Sequence, residues 1–160
     1  MAPKRKKSAK EAAPSSSTGV LDYDMLHSIV GYALRRAQVH VYQNYAKTIG
    51  ELDIRPAQFA ALTIIGSNPG LSQTQLAASM GIDRSGVVIL LDAIEGKGLA
   101  MRVPSPTDRR THAIVLTAQG QTMLAKLKEV VGEHDNDVTA GFSDAERETL
   151  VNLLRRIYEK

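Results

Sequence analysis

Leu26, Ile29, Val30, Ala33, Ala37, Val41 and Tyr45 recur at spacings of three and four. That period predicts an amphipathic helix of roughly 25 residues over 22–49. Pro56, which has no N–H to lose, suits the first turn of a second helix with Phe59, Leu62 and Ile65 inward. Asn68-Pro69-Gly70 stops it. Ser72 and Gln75 form a capping box ahead of Leu76, Ala77 and Met80, predicting a short helix. Gly81-Ile82 makes a turn, and Asp83 caps another helix with Val87, Leu90, Leu91 and Ile94 on its inner face. Gly96-Lys97-Gly98 ends that helix.

Strand-like alternation follows over 99–103 and again over 111–116, on either side of Pro104-Ser105-Pro106-Thr107-Asp108-Arg109-Arg110, a basic, turn-rich tip. Thr117 caps a helix reaching to about Thr139, and Ser143 with Glu146 caps a last one through Leu150, Leu153, Leu154 and Ile157. Two short helices across a tight glycine turn are a helix-turn-helix, and a hairpin directly after it is a wing. The fold class expected is mainly α (α+β): a winged helix-turn-helix with long N- and C-terminal dimerisation helices and a two-stranded β-wing.

This pattern places candidate chemistry. With Val87, Leu90, Leu91 and Ile94 inward, Arg84, Ser85, Gly86 and Val88 fall on the outer face near the helix start, where side chains reach base edges in a major groove. Arg84 suits guanine O6 and N7, Ser85 a base or phosphate, and Val88 a thymine methyl. Ser72, Gln73 and Gln75 stand at the start of the preceding helix, and Arg102, Asp108, Arg109 and Arg110 on the hairpin. An arginine on a narrow ribbon can enter a minor groove, while Asp108 paired with Arg110 or Arg102 would fix the tip's shape. The apolar faces of Ile29, Val30, Ala33, Leu124, Leu127, Val131, Leu150, Leu153, Leu154 and Ile157 exceed what one small lobe covers, so a second copy of the chain is expected to cover them. Two recognition helices would then occupy half-sites about 10 bp apart on double-stranded DNA.

Charge sharpens this only once it is located. The net charge is +3, but Lys4, Arg5, Lys6, Lys7 and Lys10 against Glu11 supply that excess, leaving the rest close to neutral. Residues 1–19 are rich in Lys, Ala, Pro and Ser and read as a disordered basic tail. Residues 20–160 read as a single domain, with 20–50 and 117–160 as dimerisation helices and 55–116 as the DNA-binding lobe. Bases concentrate in 84–112 and acids in 129–148, which suits one-sided approach to a polyanion. No cysteine is present, so disulfides, thiolate metal sites and cysteine redox sensing are excluded. No apolar run is long enough for a membrane, and the basic N-terminus is not followed by the apolar stretch of a secretory signal; a cytoplasmic protein is expected. No catalytic constellation or phosphate loop is present, and no cofactor is implied. His134 beside Glu133, Asp135 and Asp137 reads as a solvated helix end rather than a metal site.

Over roughly 24–158 the chain resembles the MarR family of regulators. The resemblance rests on Leu76-Ala77, Asp83-Arg84-Ser85, Leu91-Asp92-Ala93-Ile94-Glu95-Gly96-Lys97-Gly98-Leu99, Arg102, Pro106-Thr107-Asp108-Arg109-Arg110 and Leu116-Thr117-Ala118-Gln119-Gly120. It implies a homodimer on a pseudo-palindromic operator, a wing arginine at Arg110 in the minor groove, and repression relieved by a small aromatic ligand. Arg55 departs from the Thr or Ser with which many members open the second helix. Leu52-Asp53-Ile54-Arg55-Pro56-Ala57-Gln58-Phe59 and Tyr32-Ala33-Leu34-Arg35-Arg36-Ala37-Gln38 are similar to the branch that responds to hydroxycinnamoyl-CoA thioesters. That implies an aromatic acid or its CoA ester, such as p-coumaroyl-CoA, as effector, with Arg35, Arg36, His40 and Arg55 as candidate ligand-binding residues. The alternatives are a nonspecific architectural winged-helix protein and a protein-interaction module.

Overall fold

The computed structural model describes residues 21–105 and 112–159. The tail expected to be disordered and the wing tip with Asp108, Arg109 and Arg110 lie outside the described residues. The chain divides into two compact units, 1–36 and 37–160, with the division falling inside the first helix.

In the N-terminal unit the expected continuous helix is interrupted. A 3₁₀ turn, Asp24–Ser28, precedes Ile29 in extended conformation (φ −92°, ψ 118°), and only then does α1 (Val30–Ile49) begin. Local side-chain bonds explain the break. The Asp22 carboxylate accepts from the Asp24 N–H at 2.9 Å, and the Ser28 hydroxyl donates to the Met25 carbonyl at 2.7 Å. Such bonds offer the backbone an alternative to the helix ladder. The Tyr23 and His27 rings stack at 4.6 Å.

The second unit holds the core. Beyond the end of α1 come α2 (Pro56–Ser67), β1 (Leu71–Ser72), α3 (Gln73–Met80), α4 (Arg84–Gly96), β2 (Ala100–Pro104), β3 (His112–Leu116), α5 (Ala118–Val138) and α6 (Asp144–Tyr158). Ile49, Leu62, Ile65, Leu76, Val87, Leu91, Ile94, Leu99, Ile114 and Leu127 are fully buried together. Each such side chain contributes about 1.5–3 kcal/mol of transfer free energy. The sheet has three strands in the order β1-β3-β2, all antiparallel, with Leu71 opposite Ile114 and Arg102 opposite Ile114 on the other side. The two-stranded wing expected from alternation is therefore the outer part of a three-stranded sheet. β1 is too short to show a period, and its Ser72 is also the N-cap of α3.

Leu124 and Leu127 lie in this core, and Val131 packs against it, so these three are not free for a second subunit. The α5 face that carries them also carries Gly120, where a Cβ would overlap the Leu99 carbonyl group, its carbonyl carbon only 2.8 Å away. α6 differs: it has no buried residue, and Leu150, Val151, Leu153 and Ile157 are 40–50% exposed. An amphipathic helix with its apolar face in water needs a partner surface.

His134 is not at a solvated end. It is 5% exposed, turned onto α1, where its Nδ1 lies 2.6 Å from Asn44 Oδ1 and its ring meets Tyr45 edge-on at 5.4 Å. The helical period of α5 brings position 134 to the same face as Leu127. Burial holds its imidazole below the ordinary value, partly offset by Asp137.

Candidate nucleic-acid interface

The helix-turn-helix is set by its caps. Ser72 accepts from the Gln75 N–H at 3.2 Å, and the Gln75 side chain accepts from the Ser72 N–H at 2.8 Å. Gly81 takes the left-handed conformation (φ 63°) that ends α3 and turns the chain toward α4. Asp83 then accepts from the Gly86 N–H at 2.7 Å and the Ser85 hydroxyl at 2.8 Å. These bonds, the Gly86 amide first, hold its carboxyl below the usual range. A Cβ on Gly86 would come within 3.2 Å of that carboxylate, which accounts for glycine there.

α4 rests on buried Val87, Leu91 and Ile94, with Leu90 half-buried, and turns Arg84, Ser85 and Val88 outward, as its period predicts. Ile89, which the sequence reading passed over, is the most exposed apolar residue of this helix at 71%. Its place one residue after Val88 on the outward arc was the available signal. Arg84 Nη2 donates to Thr74 Oγ1 of α3 at 3.4 Å, so the guanidinium is steered by the neighbouring helix.

The remaining candidates are already engaged. Ser72 and Gln75 are occupied by capping and Ser85 by the Asp83 carboxylate. Arg102 on β2 is braced against α4: Nη1 to Glu95 at 2.5 Å, Nη2 to Asp92 at 2.9 Å, and its own N–H to Glu95 Oε1 at 2.8 Å. The Gln73 amide, oriented to present its oxygen, accepts from Arg102 Nε at 3.1 Å and Nη2 at 3.2 Å. With two carboxylates at hand, Arg102 ties the wing base to the recognition helix. Asp108, Arg109 and Arg110 lie outside the described residues.

A cavity of about 400 Å³ opens between the end of α1 and the start of α2, lined by Tyr42, Tyr45, Ala46, Asp53, Ile54, Arg55 and Pro56. Tyr45 is 7% exposed, and its hydroxyl has no hydrogen-bond partner among the described residues. Burial pushes its phenol pKa up. Of the four candidate ligand residues, Arg55 lines this cavity as the N-cap residue of α2, its N–H donating to Gln58 Oε1 at 2.9 Å. Arg35, Arg36 and His40 are exposed along α1, with Arg36 donating to the Tyr32 hydroxyl at 3.2 Å. Among the described residues no three of His, Asp and Glu gather as metal ligands, and no helix is long and apolar enough to cross a membrane.

The arrangement of α3, α4 and the β-hairpin is shared with known proteins. A family model described as MarR family matches residues 52–111. A protein of Thauera aromatica, described as a transcriptional regulatory protein for the hcr operon, is 41% identical over 132 residues, covering 82% of this chain and 80% of the relative. The chain belongs to the MarR family. Within it, the transcriptional repressor CouR bound to a 23-mer DNA duplex is 37% identical with a TM-score of 0.82, covering 87% of this chain and 99% of that one. CouR bound to p-coumaroyl-CoA is 35% identical with a TM-score of 0.79, covering 86% and 97%. As a MarR family member, the chain is a DNA-binding transcriptional regulator with the winged helix-turn-helix expected from its sequence.

Proposed function

We propose that this chain is a homodimeric repressor that binds a pseudo-palindromic operator and is released by an aromatic acid or its CoA thioester. The observation that carries the reading is the outward face of α4. Arg84 is exposed and steered by Thr74, Val88 and Ile89 are bare to solvent, and the opposite face is locked into the core. Resemblance to CouR, whose structures include a DNA complex and a p-coumaroyl-CoA complex, supports both halves of it. The protein acts by binding, without catalysis, in the cytoplasm.

Arg84, Val88 and Ile89 read bases, while the α3 start and the Ser85 end of α4 approach the phosphates. Arg110 of the wing enters the minor groove, with Arg109 as a further DNA contact and Asp108 fixing the tip's shape. The aromatic ring of the effector takes the cavity beside Tyr42 and Tyr45, and Arg55 receives an anionic group. From the sequence resemblance, Arg35, Arg36 and His40 are further candidates for the CoA phosphates, the arginines as cations and His40 as a hydrogen-bond donor. Calorimetric titration tests the effector class: p-coumaroyl-CoA is expected to bind, with Arg55→Ala weakening it about tenfold, as loss of a charge-assisted bond of 1.5–3 kcal/mol implies. Equal affinity of the wild type and Arg55→Ala would remove that residue from the site.

A further inference from the structure

The far end of the recognition helix is a junction. Lys97, the C-cap of α4, donates from Nζ to the Asp53 carbonyl at 2.7 Å and also pairs with the Asp53 carboxylate. Gln119 Nε2 donates to the Lys97 carbonyl at 3.4 Å, and Thr117 Oγ1 donates to the Gly98 carbonyl at 2.6 Å. The helix that presents Arg84 is thus tied, about 20 Å from that residue, to the α1–α2 connection on one side and the start of α5 on the other.

Of these ties, only Asp53 also lines the cavity that holds Arg55. Asp53 has a left-handed backbone (φ 49°, ψ 39°), a conformation uncommon outside glycine that Asp tolerates better than most residues. Lys97 grips both its carbonyl and its carboxylate. The carboxylate is still 89% exposed, so a ligand entering the cavity mouth can reach it. Lys97 holds the Asp53 carboxyl below the usual range, so that carboxylate is ionised at neutral pH.

We propose that Asp53 and Lys97 form a latch through which occupancy of the α1–α2 cavity is passed to the recognition helix. The inference rests on reading that cavity as the effector site. An anionic group drawn to Arg55 repels the Asp53 carboxylate and so displaces it from Lys97. The C-terminal end of α4 then loses its tie to the α1–α2 connection, while Thr117 and Gln119 remain as a pivot. Lys97 is a positioning residue: it acts on DNA through the placement of α4.

The test is a double-mutant cycle on operator affinity, with and without p-coumaroyl-CoA. Asp53→Asn and Lys97→Met should each weaken operator binding about fivefold, the upper range for an exposed pair. The double variant should be no weaker than the worse single, and Lys97→Arg should restore most of the affinity. In Lys97→Met the further weakening caused by p-coumaroyl-CoA should shrink by the same factor, because the latch is already open. Wild-type affinity in both single variants, or effects that simply multiply, would overturn the latch. If p-coumaroyl-CoA leaves the wild type on its operator, the effector reading falls, and the cycle on ligand-free protein still decides whether Asp53 and Lys97 act together on α4.

Discussion

In the proposed function, Arg84 is the residue on which base recognition turns. Its guanidinium stands one position after the Asp83 cap and is steered by Thr74 Oγ1. A bidentate arginine-guanine pair is worth about 1–3 kcal/mol of discrimination. Arg84→Ala should therefore weaken the operator by that amount and relax preference at one position of each half-site, measured against single-base variants of the duplex. Uniform weakening on all sequences would make it a phosphate contact. Gly120 gives a stability counterpart: a methyl there meets the Leu99 carbonyl group, which is backbone and cannot yield cheaply. Gly120→Ala should cost about 1–3 kcal/mol in thermal or denaturant unfolding. At this scale the caps Ser72, Asp83, Thr117 and Ser143 were all readable, because capping is decided within a few residues. The pairing of Arg102 with Asp92 and Glu95 was not read, since it depends on how β2 folds back over α4.

Among the elements, α1 and α5 are joined by a polar link inside an apolar contact. Asn44 Oδ1 can only accept, so His134 donates from Nδ1, and burial favours the neutral ring. Its folded pKa is lowered by burial, against an unfolded value of about 6.5. Stability is therefore full above that value and falls as acid protonates the unfolded chain first, levelling off below the folded pKa. Melting of the wild type should drop between pH 7.5 and 5.5 by more than melting of His134→Gln; identical slopes would show that His134 does not titrate on unfolding. Amphipathic period located every long helix but misjudged their contacts. Leu124 and Leu127 carry the same pattern whether they face the chain's own core or a partner, and only the packing of α2 against α5 decides it. The break at Ile29 was hidden because the spacing of Leu26, Ile29 and Val30 continues through it, while the bonds from Asp22 and Ser28 are what end the helix there.

For the whole molecule, the exposed apolar face of α6 calls for a second copy. Phe142, Leu150 and Leu153 line one uncovered apolar groove, which Ile157 continues by helical period, of the kind that dimer interfaces bury. Leu153→Glu should shift the mass in sedimentation from dimer toward monomer, and operator affinity should fall with it because two half-sites can no longer be held at once. A variant that stays dimeric would move the interface off α6. Fluorescence anisotropy on duplexes tiling the DNA beside the chain's own gene, near physiological salt, weighs a specific, effector-released repressor most directly. The expected result is binding to one imperfect palindrome about 10³-fold or more tighter than to random DNA, lost on adding p-coumaroyl-CoA. Uniform weak binding to every duplex, governed by salt alone and indifferent to ligand, would contradict it and describe an architectural DNA-binding protein instead.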